Sequence, residues 1–301
     1  MVTGKVVDFI VGAEMYQTWY EVLGDLTSGL TPLVLLHGGP GWTHQYMLPF
    51  KTLYESAGIP VVFYDQLGSG QSTHLRDAPE GFWTVALFMD ELENLLKHLG
   101  IADNFNLLGH SWGGVVAGDY ATRIPNGLKR LIISHSPSSV PMLGAEINRL
   151  LEAFPKDFVD LVRKHERDGT QSNPEYKSAV LEFYRTHVYI LPGPWPESLV
   201  SSLAAAEEDG TVFHAVVGPS PFCYTGTAKD WSIIDVLHNI SCPTLIISGV
   251  NDEVTEPTVL PWFTNIPKVK WVELQNSTHL PMYEEPDKYF KVILDFLNLP
   301  V

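Results

Sequence analysis

Gly109-His110-Ser111-Trp112-Gly113-Gly114 is the stretch on which the fold turns. The pattern G-x-S-x-G marks a sharp strand-to-helix turn that pushes a serine hydroxyl clear of the backbone, and glycines two positions before and after leave room for it. The flanks agree with that reading. Residues 105–108 (FNLL) form a short apolar run suited to a strand buried on both faces of a parallel sheet. Residues 112–123 are rich in small side chains and predict a helix packed close to that sheet.

Working outward, the same texture recurs at 33–36 (LVLL), 61–64 (VVFY), 131–133 (LII), 244–247 (TLII) and 269–274 (VKWVEL). Residues 5–12 and 15–23 predict two further strands, joined as an antiparallel hairpin by a turn at Gly12-Ala13. Helical spacing runs over 82–99, ending at Gly100, and over 284–297. Strands alternating with helices predict an α/β class protein. With the serine turn at its centre, the expectation is the α/β-hydrolase fold, a mostly parallel eight-stranded sheet flanked by helices. The rhythm breaks at 137–230, which predicts amphipathic helices near 144–154, 156–168, 174–188 and 197–208, separated by proline-rich joints such as LPGPWP at 191–196. That segment is expected to be a helical cap inserted into a core made of 1–136 and 231–301, lying over the carboxyl edge of the sheet where ligands bind.

A serine hydroxyl is a weak nucleophile and needs a base. In this fold the acid and then the histidine follow the serine along the chain. Asp252 lies just after TLII and His279 just after VKWVEL, both at predicted carboxyl ends of strands. Ser111, Asp252 and His279 are therefore the candidate catalytic residues, with Glu253 as the rival acid. His279 would take the serine proton, and Asp252 would orient the imidazole and stabilise its cation. After LVLL comes His37-Gly38-Gly39-Pro40-Gly41, whose turn can aim a backbone N–H at a developing oxyanion. Gly39 is the preferred donor, ahead of Gly38, and the N–H of Trp112 is the second.

HGGPG at 37–41, YDQLGSGQS at 64–72, GHSWGG at 109–114 and the late Asp252/His279 pair together resemble the proline iminopeptidases, a family that takes in the tricorn-interacting aminopeptidase and microbial L-amino acid amidases. The resemblance runs from about residue 5 to residue 298. It implies an α/β-hydrolase core with a helical cap, no metal and no cofactor, and removal of an N-terminal residue from a short peptide or amide through an acyl-enzyme. It also implies that Glu253 helps to hold the free amine of the substrate, with Gly38, Phe222 and Tyr224 near the bound molecule. The chain departs from the family at one place. Where similar sequences read GPNEF and supply a second carboxylate, this one reads Gly218-Pro219-Ser220-Pro221-Phe222. Pro221 cannot carry charge. Glu207 and Glu208, further back in the expected cap, are the candidates to stand in; the alternative reading is hydrolysis of an ester, lactone or blocked amide. A binding protein that keeps the fold without the chemistry is the third reading.

Composition narrows the partners. With 35 acidic and 19 basic residues the net charge is −16, which disfavours nucleic acid. The expected partner is a small molecule or short peptide. Two cysteines, Cys223 and Cys242, are too few for a disulfide framework and fit a reducing compartment. No apolar run is long enough for a membrane span, and the opening residues lack the pattern of a secretory leader, so the expected location is cytoplasmic.

Overall fold

The structure is a computed structural model that describes residues 4–298. The ends of the expected core, 1–3 and 299–301, lie outside the described residues. The chain begins with β1 (Lys5–Val11) and β2 (Glu14–Leu23), then β3 (Leu33–Leu36), a 3₁₀ turn over His44–Phe50, α1 (Lys51–Ala57), β4 (Val61–Asp65) and α2 (Val85–His98). There follow β5 (Phe105–His110), α3 (Trp112–Thr122) and β6 (Leu128–Ser134). Five helices come next: α4 (Val140–Leu151), α5 (Lys156–Asp168), α6 (Pro174–His187), α7 (Glu197–Glu208) and α8 (Thr211–Val216). The chain then returns to the sheet with β7 (Thr244–Gly249), α9 (Glu256–Asn265), β8 (Val269–Leu274), α10 (Pro281–Glu284) and α11 (Pro286–Leu297).

The described residues form an eight-stranded sheet in the order β1-β2-β4-β3-β5-β6-β7-β8. β2 is antiparallel to β1 and β4, and every pairing from β4 to β8 is parallel. The period-two geometry of a strand explains why the central runs are apolar throughout. Val34, Leu36, Phe105, Leu107, Leu131, Ile133 and Ile246 feed the core on one face, with α2, α3 and α9. Leu33, Leu35, Leu108, Ile132, Leu245 and Ile247 feed the other, with α1 and α11. Burying each such side chain contributes about 1.5–3 kcal/mol. Helices α4, α5 and α6 have a cluster of their own, in which Ile147, Leu151, Val162, Tyr176, Ala179, Phe183 and Phe222 pack together, whereas Leu199 of α7 and Val212 of α8 join the two sheet cores.

Local chemistry explains most boundaries. Thr84 caps α2, its side chain accepting the Leu87 N–H at 3.2 Å. The helix ends in a Schellman turn at Gly100 (φ 67°), with Gly100 N–H bonded to the Lys97 carbonyl and Ile101 N–H to that of Leu96. The helix expected at 144–154 runs earlier, from Val140, because Pro141 suits a first turn that has no need of its N–H. The sequence reading missed α1, α8, α9 and α10. α9 carries Pro261 inside it and α8 spans only six residues, so neither shows a clear helical period.

Candidate active site

Ser111 sits between β5 and α3 with φ 56° and ψ −125°, a backbone conformation rarely taken by a residue with a side chain. It persists because its surroundings fix it on every side. The Ser111 N–H donates to the Ser134 carbonyl at 3.0 Å, and its own carbonyl accepts from Gly114 at 2.8 Å. A Cβ on Gly109 would lie 2.2 Å from the Gly113 carbonyl oxygen, and one on Gly113 would lie 2.1 Å from that of Leu36. The turn closes so tightly, and α3 packs so near β3, that neither position admits a side chain.

His279 reaches the same place from the loop after β8. Its Nδ1 lies 2.8 Å from Asp252 Oδ1, in the loop after β7. The carboxylate accepts, so Nδ1 carries a proton and, in the neutral ring, Nε2 is the nitrogen left able to take one. Asp252 Oδ1 also accepts the Val254 N–H at 2.9 Å. Asp252 Oδ2 is buried without a hydrogen bond and faces His135 Nε2 at 4.0 Å, itself unbonded. The loop bearing His279 is stapled by Glu284, which accepts from Thr278 N–H at 2.7 Å and Thr278 Oγ1 at 2.6 Å, and also from Ile190 N–H at 2.9 Å. Burial by itself would depress the His279 pKa. The charge of Asp252, its hydrogen bond and the charge of Glu253 outweigh that and hold the imidazole above its ordinary 6.5.

Ser111, His279, Gly38, Gly39, Trp112 and Glu253 line one cavity. No hydrogen bond joins Ser111 Oγ to His279 in this conformation. The N–H of Trp112 is the first of α3 and has no carbonyl partner within its helix. The Gly39 N–H is likewise unbonded among the described residues, whereas that of Gly38 is taken by Tyr46 Oη at 2.6 Å. This geometry favours Gly39 over Gly38 as a donor to the cavity. The DQLGSGQS segment stands behind the loop: Gln66 bonds the His37 carbonyl through Nε2, and its Oε1 accepts the Trp112 indole N–H at 3.0 Å.

The rest of the cavity wall is apolar, with Val140, Leu143, Ile147, Val188, Phe213, Val216 and Val217 drawn from the helices between β6 and β7. Glu253 alone among acidic side chains lines it, and burial, with Asp252 adding and His279 opposing, pushes its pKa up to about 7. Its carboxylate has no hydrogen bond to the protein. Tyr184 and Tyr224 also line the cavity; their phenols are raised by burial first and by the charge of Glu253 next, so they stay protonated.

Two expectations need correction. Phe222 does not line this cavity. It is buried beside Phe183, edge-on at 5.0 Å, because the chain turns tightly at Ser220–Cys223 and sends neighbouring side chains to opposite sides. Pro221 and Tyr224 take the cavity side. Glu207 and Glu208 lie outside the cavity, paired with Lys177 and Arg76. The sequence reading passed over Tyr46, His110 and Tyr184. His110 occupies a variable position of the G-x-S-x-G pattern, and nothing local marks the two tyrosines. Among the described residues no cluster is arranged to hold a metal ion, and no helix is long and apolar enough to cross a membrane.

Fold and site together define an α/β hydrolase, and a family model described as alpha/beta hydrolase fold matches residues 31–286. A proline iminopeptidase of Saccharolobus solfataricus is 37% identical over 289 residues, 96% of this chain and 90% of that protein. The crystal structure of a Mycobacterium smegmatis proline iminopeptidase superposes with a TM-score of 0.89 at 36% identity, over 98% of this chain and 97% of the other. The crystal structure of VinJ superposes with a TM-score of 0.92 at 43% identity, over 97% and 98%. The chain belongs to the proline iminopeptidase family.

Proposed function

We propose that this protein is a serine aminopeptidase that removes an N-terminal residue, proline foremost, from a short peptide or amide. One observation carries the proposal. A serine in a strained turn, a histidine whose Nδ1 is held by a carboxylate at 2.8 Å, and an unbonded glutamate surround a single apolar cavity.

In this reading His279 Nε2 takes the Ser111 proton as Oγ attacks the carbonyl carbon. The N–H groups of Gly39 and Trp112 bind the resulting oxyanion. His279, now an imidazolium paired with Asp252, gives its proton to the leaving amine, and water repeats the sequence on the acyl-enzyme. Glu253 holds the amine of the acyl residue, with the phenols of Tyr184 and Tyr224 beside it. The segment 137–230 serves as the cap that shapes the acyl pocket.

A second reading rests on Pro221, which lines the cavity where similar sequences carry a carboxylate. One carboxylate compensates a buried ammonium less well than two. On that ground the protein would cleave an ester, lactone or blocked amide instead. Turnover of prolyl and alanyl aryl-amides, compared with their N-acetyl forms, decides between the two. A strong preference for the free amine supports the aminopeptidase; equal or better turnover of the blocked forms sinks it. Ser111→Ala should abolish either activity.

A further inference from the structure

One unbroken chain of hydrogen bonds runs along the floor of the cavity, which Gly38, Tyr46, His110 and His279 help to line. The Gly38 N–H donates to Tyr46 Oη at 2.6 Å. Tyr46 Oη lies 2.9 Å from His110 Nδ1, and His110 Nε2 lies 2.8 Å from the carbonyl oxygen of His279. Tyr46 is fully buried and His110 is 1% exposed, so water does not compete. The two ends settle the direction. A backbone N–H only donates and a backbone carbonyl only accepts. His110 Nε2 therefore bears the proton. Burial first, and then the charge of His279, hold the His110 ring well below its ordinary pKa, so it is neutral and its Nδ1 is an acceptor. Tyr46 must then donate to Nδ1, leaving its oxygen lone pair for Gly38.

We propose that Tyr46 and His110 are positioning residues that hold the oxyanion loop and the general-base loop in fixed relation to each other. The inference rests on the roles proposed above for Gly39 and His279. By drawing the Gly38 N–H down to its own oxygen, Tyr46 leaves the neighbouring Gly39 N–H as the one turned to the cavity. By holding the His279 carbonyl, His110 fixes the backbone from which the imidazole projects. The Tyr46 carbonyl accepts in turn from Tyr283 Oη at 2.8 Å, which anchors the 3₁₀ turn against α10. Both ends of the chain thus meet groups that the tetrahedral intermediate uses at the same moment. Such groups act only when set to within a few tenths of an ångström, so loosening them slows the chemical step rather than weakening substrate binding.

The test compares wild type with Tyr46→Phe, which keeps the ring and removes the oxygen, with His110→Gln and with the double variant. Two rates are read: turnover of a prolyl aryl-amide, and labelling of Ser111 by a fluorophosphonate, which needs no knowledge of the natural substrate. Each single variant should lower kcat and the labelling rate by about tenfold or more with KM within about twofold of wild type. The double variant should fall no more than about threefold below the slower single one, because both act through one chain. The acid limb of the pH–rate profile should stay in place, since His110 does not titrate in the working range. Unchanged rates per folded molecule, additive losses, or a loss confined to KM would overturn the proposal. If His110→Gln does not fold, Tyr46→Phe decides alone. A wild type that labels at Ser111 but turns over no free-amine substrate would count against the aminopeptidase reading and leave this test standing.

Discussion

Asp252 and Glu253 are neighbours with different roles in the function proposed above, and their surroundings account for the difference. Asp252 has one oxygen committed to His279 and to the Val254 N–H. Replacing it with Asn leaves the shape but favours the wrong imidazole tautomer, so kcat should fall by about 10⁴-fold. The same change removes the charge that raises His279, and the acid limb of kcat/KM against pH should move down from its position above 6.5. Steady-state kinetics from pH 5 to 10 checks both; near-normal activity would shift the acid's role to Glu253. Glu253 has no such partner and is raised from 4.5 to about 7 by burial. Between about pH 4.5 and 7 the unfolded chain releases this proton and the folded chain keeps it, so stability falls as pH rises through that window. Glu253→Gln should therefore stabilise the fold at pH 8, by up to about 3 kcal/mol, and do little at pH 4. It should also raise KM for free-amine substrates above pH 7, where the native carboxylate is ionised. Denaturant titrations at the two pH values, set beside KM, separate the two effects.

At the scale of elements, the turn between β5 and α3 sets the limits. Gly113→Ala would drive a methyl into the Leu36 carbonyl, and since both lie in packed elements the helix must lift off the sheet. A loss of about 3 kcal/mol or more is expected, read as a lower melting temperature together with slower labelling of Ser111. The positions of Ser111, Asp252 and His279 could be read from sequence because each lies within five residues of the end of a strand, and a strand of a parallel sheet delivers its next loop to the same edge as its neighbours. That Gly39 and Trp112 line the same cavity as Ser111 was legible for the same reason. The wall opposite was not. Tyr184 and α8 reach the cavity through packing between distant helices, and at 220–224 a single tight turn decides which side chains face the cavity. Sequence proximity pointed to Phe222 and Tyr224 alike, whereas the turn gives the cavity Pro221 and Tyr224 and buries Phe222 elsewhere.

At the scale of the whole molecule, the helices between β6 and β7 join the sheet through apolar packing, with Val140, Val212 and Val216 in the core of one face and Leu199 in that of the other, and through a few polar points. Asp209, at the junction of α7 and α8, accepts from Thr211 through Oδ1, while its Oδ2 lies 2.5 Å from His74 Nδ1 and 3.3 Å from Arg76 Nε. Burial works against the Asp209 charge, yet these hydrogen bonds outweigh it and bring its pKa to about 2. His74 loses something to burial and gains more from the Gly70 carbonyl and Asp209, so its pKa is raised above 6.5. Its contribution is fully present below pH 6.5 and lost as pH rises through the raised value. Hydrogen exchange across Thr211–Val216, corrected for its intrinsic rate, should therefore be faster at pH 9 than at pH 6. His74→Gln should erase that difference; equal protection at both pH values in wild type would refute the latch. The separate cluster around Phe183 and Phe222 bears on how proteins of this build diverge. Of the residues lining the cavity, Ile147 belongs to that cluster and Tyr184 packs against it, whereas Val140, Val216 and Val217 belong to the core shared with the sheet. The stretch of wall backed by this cluster can therefore change shape while Ser111, Asp252 and His279 keep their places on the sheet loops, a freedom that the stretch backed by the sheet core lacks.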